Sequence, residues 1–215
     1  MIIKESMQNL LFTVGHSNHT INVFIALLKK HSVSAIADVR SSPYSRFAPQ
    51  FNRESLERTL VQEGLKYVFL GRELGARREE PHCYDGKKAR YDLIAKSSLF
   101  KSGLDRVMRG STDHKIALMC SEKDPITCHR MVLVCRELKT TGLIMKHILE
   151  DGSLETTEEA EARMLDKTKI QKTDFYIPQS ELINNAYNKQ ALDIAWVEPE
   201  KKLNNSQIED FEGNE

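Results

Sequence analysis

Apolar residues recur along this chain in short solid runs separated by longer segments with helical periodicity, and that alternation fixes the expected architecture. Leu10 to Val14 is the first run and reads as a buried strand ending at Gly15-His16-Ser17. Thr20 can then cap a helix over about Ile21 to Lys30, whose Ile21, Phe24, Ile25, Leu27 and Leu28 fall on one face. Val33 to Ala37 predicts a second strand and Leu65 to Leu70 a third. Between them lie the breaker-rich stretch SSPYSRFAPQFN and a helix from about Glu54 to Glu63, closed by Gly64. A helix over about Tyr91 to Met108 precedes a fourth run, Ile116 to Met119. The polar loop Ser121 to Asp124 follows, and then a helix starting directly after Pro125. Leu143 to Leu149 is the fifth run. Strands alternating with helices, joined by connections long enough to cross over, predict a three-layer α/β fold with a mostly parallel sheet of about five strands flanked by helices.

Past residue 152 the pattern weakens. Acidic residues in the first turn predict a helix over Thr156 to Leu165. The remainder is polar, with scattered anchors at Ile177, Tyr187, Leu192 and Trp196. The expected organisation is an α/β domain over 1–152, a helical, polar C-terminal extension over 153–198 packed on it, and an acidic, disordered tail over 199–215.

Composition changes this picture in two respects. A chain of 215 residues with 40% hydrophobic content can bury one ordinary core. It carries neither a leader-like segment nor an apolar run of membrane-spanning length, so a cytoplasmic location and no membrane partner are expected. The four cysteines, Cys83, Cys120, Cys128 and Cys135, show no CxxC spacing and read as thiols. The net charge of zero hides a split: residues 1–149 carry 24 basic against 15 acidic side chains, and residues 150–215 carry 7 against 16. A basic body suits a small anionic ligand or nucleotide, and leaves nucleic acid as a partner class.

The candidate chemistry collects where strands end. In a parallel sheet all carboxyl ends share one rim, which is where ligands bind in open α/β folds. His16, Asp38, Arg40, Arg72 and Cys120 converge there. His16 is an acid/base or anion donor, or else Gly15-His16 only makes a turn. Asp38 and Arg40, two apart on a strand, point the same way and either pair or share a ligand. Cys120 faces a predicted helix amino-terminus near Lys123, His129 and Arg130. It is open to three readings: a nucleophile, a structural thiol, or a metal ligand in a set with Cys128, His129 and His16. The metal reading is set aside because no compact ligand pair is present, and Cys128 and Cys135 fall at helical spacing suited to core packing. Catalytic roles are therefore expected for His16, Asp38, Cys120 and Glu122, and ligand binding for Ser17, Arg40, Arg72, Lys123, His129 and Arg130, with Arg130 foremost. No cofactor is specified. The runner-up reading is a non-catalytic nucleic-acid-binding module that uses the basic, aromatic loops 41–53 and 71–91.

Taken together, the motifs TVGHSNHTINVFIALLKKH, IADVRSSPYSRFAPQFN, GLKYVFLGRELGARR and LMCSEKDPITCHR resemble the domain-of-unknown-function 488 family over about residues 11–151. The resemblance implies a shared site. Its motif positions here include Gly15, His16, Ser17, Asp38, Arg40, Cys120, Glu122, Lys123, Cys128, His129 and Arg130. It implies no named substrate or reaction.

Overall fold

A computed structural model describes residues 10–200. In chain order the elements are β1 (Leu10–Gly15), α1 (Ile21–Lys30), β2 (Ala35–Asp38), α2 (Arg53–Gln62), β3 (Lys66–Phe69), α3 (Gly71–Leu74), β4 (Tyr84–Asp85), β5 (Lys88–Ala89), α4 (Tyr91–Ile94) and α5 (Ser98–Ser111). They continue with β6 (Ile116–Cys120), a π-helical turn (Arg130–Cys135) running into α6 (Arg136–Lys139), β7 (Ile144–Ile148), β8 (Leu154–Thr156), α7 (Thr157–Thr168) and α8 (Gln179–Ile194). One six-stranded sheet has the order β3-β2-β6-β1-β7-β8. All its pairs are parallel except β7–β8.

The solid apolar runs are explained by burial on both faces. Neighbouring strand residues go to opposite cores: Leu11, Ala35, Ala37, Leu118 and Met145 face one, and Phe12, Val14, Ile36, Ala117 and Met119 face the other. The second core is closed by α1 and α2 through Phe24, Leu28, Leu56 and Leu60. The first is closed by α5, the π turn with α6, α7 and α8. The chain thus leaves β1 toward one face and the neighbouring β6 toward the other. Such a switch opens a crevice at the carboxyl ends of two paired strands, here at the register pair Gly15 and Cys120.

Several expectations need correction. The helix placed directly after Pro125 is instead one 3₁₀ turn (Pro125–Thr127), an extended Cys128 (φ −128°, ψ 141°) and then the π turn. Burying Pro125 and Ile126 uses the 3₁₀ turn, and the extended step swings Cys128 back toward the loop. Asp124 still caps, accepting from the Ile126 N–H. The helix expected over 91–108 divides because Ser97 starts a new one, its side chain accepting from the Phe100 N–H. A sixth strand, β8, precedes α7, which Thr156 and Glu159 close with a reciprocal capping box.

The segment after 152 packs into the first core through α7 and α8. Tyr187 on α8 is fully buried, and its hydroxyl donates to Glu161. Gln190 donates to the Ile126 carbonyl, so α8 grips the loop that carries Asp124 to Cys128. The expected tail over 199–215 lies, from residue 201 on, outside the described residues. Among the described residues no helix is long and apolar enough to cross a membrane.

Candidate functional site

The site is built by two loops that leave adjacent strand ends and stay paired. His16 N–H donates to the Cys120 carbonyl and Ser17 N–H to the Ser121 carbonyl, extending the β1–β6 ladder past both strands. This close approach requires Gly15: a Cβ there would stand 2.0 Å from the Glu122 carbonyl oxygen. Arg130 holds the same loop from below. It is fully buried, with Nη1 donating to the Glu122 carbonyl, Nη2 to the Lys123 carbonyl and Nε to Thr13 Oγ1.

From the next strand come Asp38 and Arg40. Asp38 is fully buried and accepts from Arg40 Nε at 2.9 Å, Arg40 Nη2 at 2.6 Å and the Tyr67 hydroxyl at 2.8 Å. Arg40 also donates from Nη2 to the Phe51 carbonyl. Arg40 Nη1 lies 3.2 Å from His16 Nε2, and His16 Nδ1 lies 2.9 Å from the Ser17 carbonyl. The consistent tautomer has Nδ1–H donating to Ser17 and Nε2 accepting from Arg40. Burial, then the Arg40 charge, pushes His16 down to about 4, so its ring is neutral, stacked on Phe51 at 4.3 Å.

On the other side of Arg40 sits the central cluster. Glu122 Oε2 lies 2.9 Å from Cys120 Sγ and 3.1 Å from Cys128 Sγ, and His129 Nδ1 lies 3.6 Å from Cys120 Sγ. One ligand-type atom from each of these four residues falls within 4.8 Å of the others. Burial, then hydrogen bonding to Cys128, pushes the Cys120 thiol well up. Burial also raises Cys128, but the Cys120 hydrogen bond and the Arg130 and His129 charges outweigh it and draw that thiol down. Burial, then the Cys128 charge, raises the Glu122 carboxyl.

A pocket of about 180 Å³ opens over this cluster. Arg40, Ser41, Ser42, Arg77, Cys120, Glu122, Thr127 and His129 line it, with Tyr91, Ile194 and Trp196 forming an apolar wall. Arg77 is exposed, with its guanidinium 5.5 Å above the Trp196 ring.

Of the residues expected at the site, Arg40, Cys120, Glu122 and His129 meet in this pocket. The others stand elsewhere. His16 and Asp38 lie behind Arg40 and orient it. Ser17 bonds its neighbour Asn18, Lys123 pairs with Glu150 at the surface, and Arg72 lines a separate groove with Pro81 and His82. Arg130 spends its donors on the loop beneath and does not line the pocket. Cys128 was assigned to core packing on helical spacing, but its extended backbone carries Sγ into the cluster. Arg77 and Trp196 were legible only as a loop cation and a tail anchor, since nothing local in the sequence brings them together.

Arg130 also sits over a buried histidine. His147 Nδ1 bonds Thr13 Oγ1 at 2.9 Å, and burial, then the Arg130 charge, pushes the ring down to about 3. A histidine neutral when folded and titrating near 6.5 when unfolded contributes stability above that pH and loses it as the pH falls toward the folded value. Between pH 8 and 5 the wild type should therefore lose about 2 kcal/mol more unfolding free energy than His147→Gln. Denaturant titrations at the two pH values check this, and equal losses in both proteins would refute it.

No curated protein and no solved structure matches the chain. One family model does, over residues 20–136, more than half of the chain. That span includes Asp38, Arg40 and the whole Cys120–His129 cluster, and stops short of Gly15, His16 and the C-terminal wall. On this match the chain belongs to the family described as Domain of unknown function DUF488.

Proposed function

We propose that this protein is an enzyme acting on a small anionic molecule bound at the carboxyl edge of the sheet. The observation that carries the reading is that Arg40 and the exposed Arg77 line the same pocket as a thiol, a carboxylate and an imidazole. Guanidinium groups supply planar, charge-assisted recognition of phosphate or carboxylate, and the cluster beneath supplies groups suited to proton transfer or nucleophilic attack. Arg40 is held rigid by Asp38, His16 and Phe51, which is the support an orienting residue needs. Arg77 brings a charge with no carboxylate in ion-pair range among the described residues. The volume favours a compact ligand, such as a phosphate ester or small carboxylic acid, because pockets for drug-sized ligands run to about 300–1,000 Å³.

Thermal-shift titration with inorganic phosphate and small monophosphates and carboxylates tests this reading. A saturable rise in midpoint is expected, because a ligand that binds only the folded state stabilises it. Arg77→Ala should weaken the affinity about 10–100-fold, the equivalent of one lost charge-assisted hydrogen bond. No shift with any of these anions, or equal affinity in the variant, would overturn it.

The nucleic-acid reading has one observation in favour: Phe47, on the 41–53 loop, is 96% exposed, and Tyr44 nearby is half so. Against it, much of the basic charge of residues 71–91 is spent internally. Arg78 is buried on the Arg72 and Glu73 carbonyls and on Glu80, Arg90 pairs with Asp85 and Asp92, and Lys87 pairs with Glu200. Binding to oligonucleotides that fades steeply with salt and is indifferent to Arg77 would favour this second reading.

A further inference from the structure

The geometry points to a zinc site at the base of the pocket, with Cys120, Cys128 and His129 as ligands and Glu122 as the fourth, pocket-facing one. It concerns the same pocket as the anion reading but does not need an anion, so either can fail alone.

Three independent features support it. The first is spacing. Zinc bonds of about 2.3 Å to sulfur and 2.0–2.1 Å to nitrogen, in a tetrahedron, separate ligand atoms by roughly 3.5–3.8 Å. His129 Nδ1 lies 3.6 Å from Cys120 Sγ and 4.0 Å from Cys128 Sγ, and all four ligand atoms lie within 4.8 Å of one another. The second is the orientation of the imidazole. His129 Nε2 lies 2.9 Å from the Val39 carbonyl, a bond only Nε2–H can make, so Nδ1 is the nitrogen that faces both sulfurs and is left to a metal. That outer hydrogen bond is the one that metal-bound histidines characteristically make. The third is support for the sulfur. The Arg130 backbone N–H points at Cys128 Sγ, at 3.4 Å, as suits a thiolate ligand.

The local backbone explains how two consecutive residues can both reach one point. Cys128 is extended and His129 helical, at the mouth of the π turn, so their side chains turn to the same side. A continuous helix would set them about 100° apart. Two thiolates and an imidazole select zinc over magnesium, calcium or manganese, which prefer oxygen. Cys120 and Cys128 are free thiols, as this role requires. Glu122 is the residue of the four most open to solvent, so the ligand that a substrate oxygen or water would displace is on the pocket side. A zinc ion here would polarise an oxygen of the bound anion.

The test uses the full chain, produced with zinc in the medium and purified without chelator, and reads metal content and cobalt spectra. About one zinc per chain is expected. Cobalt(II) added to the reduced, metal-free protein should give thiolate-to-cobalt charge-transfer absorption together with the intense visible bands of a tetrahedral ion. Cys128→Ser should weaken zinc affinity by more than the roughly 10–100-fold that loss of an outer-sphere partner costs. Cys83→Ser, outside the cluster, should keep the wild-type metal content. Should Cys128→Ser fail to fold, the wild-type cobalt spectrum still decides. Zinc well below stoichiometry, or cobalt bound without charge-transfer bands in folded protein, overturns the site. Phosphate titration of the zinc-loaded and metal-free protein is read separately and bears only on the anion.

Discussion

Arg130→Met should cost about 3–5 kcal/mol of unfolding free energy, more than any other single side-chain replacement in the core of this rim. The methionine keeps much of the buried volume, so the loss reports hydrogen bonds rather than a cavity. Arg130 is completely buried, and its fork donates to both the Glu122 and Lys123 carbonyls of the Ser121–Asp124 loop. Without it two part-buried carbonyls and the buried Thr13 hydroxyl lose a charged donor. Arg130→Lys should recover little, because one ammonium cannot span three acceptors held in a planar fan. Denaturant unfolding followed by far-ultraviolet dichroism and by the fluorescence of Trp196, the single tryptophan, measures both variants. A loss below about 1 kcal/mol for Arg130→Met, the scale of one ordinary hydrogen bond, would mean that the loop is held by something else.

The second large effect is expected at Gly15. Its added Cβ in Gly15→Ala would stand 2.0 Å from the Glu122 carbonyl oxygen and 2.9 Å from the Lys123 Cα, both backbone atoms that cannot rotate away. Either β1 or the loop must shift, at about 2–4 kcal/mol. The shift carries Glu122 off the two thiols, so the pocket should also lose its ligand response while the protein remains folded at low temperature. Gly110→Ala provides the contrast: the nearest atom there is the tip of the Ile116 side chain at 3.0 Å, and the change should be close to neutral. Equal stability of the two variants would remove the steric account of Gly15.

What the sequence disclosed follows from what each signal measures. Strand runs at 10–14, 116–119 and 143–149 were legible because they are mostly apolar, Thr13, Lys146 and His147 excepted, and largely buried on both faces. Caps at Thr20 and Asp124 were legible because they act within four residues. β8 was missed because Leu154–Thr156 is a short strand at the sheet edge and Leu154 is the one apolar residue of its three. The importance of α8 was missed for a different reason. Its buried face consists of Leu182, Ala186, Tyr187, Gln190 and Ala191, and the two polar members are satisfied by Glu161 and by a loop carbonyl remote in sequence. Arg40, Cys120, Glu122 and His129 were expected together, and they do line one pocket, because strand ends mark the rim. Cys128 packs in the core as expected but also reaches the cluster, and Arg130 lies under the loop instead of in the pocket, because the extended Cys128 and the π turn break the helix that the spacing assumed.

The apolar wall of the pocket has a consequence for how this protein can change over generations. Ile194 and Trp196 lie far beyond residue 136, where the family match stops, whereas the thiols, carboxylate and imidazole they face lie inside it. The clustered side chains and the C-terminal part of the wall are therefore encoded by separate stretches of the chain, tied together through Gln190 and the Ile126 carbonyl. Mutations in the last turn of α8 and just after it can reshape what enters without disturbing what waits below. On the proposed function, drift in the C-terminal segment would be a route to new ligand preference at fixed chemistry, open to selection one residue at a time.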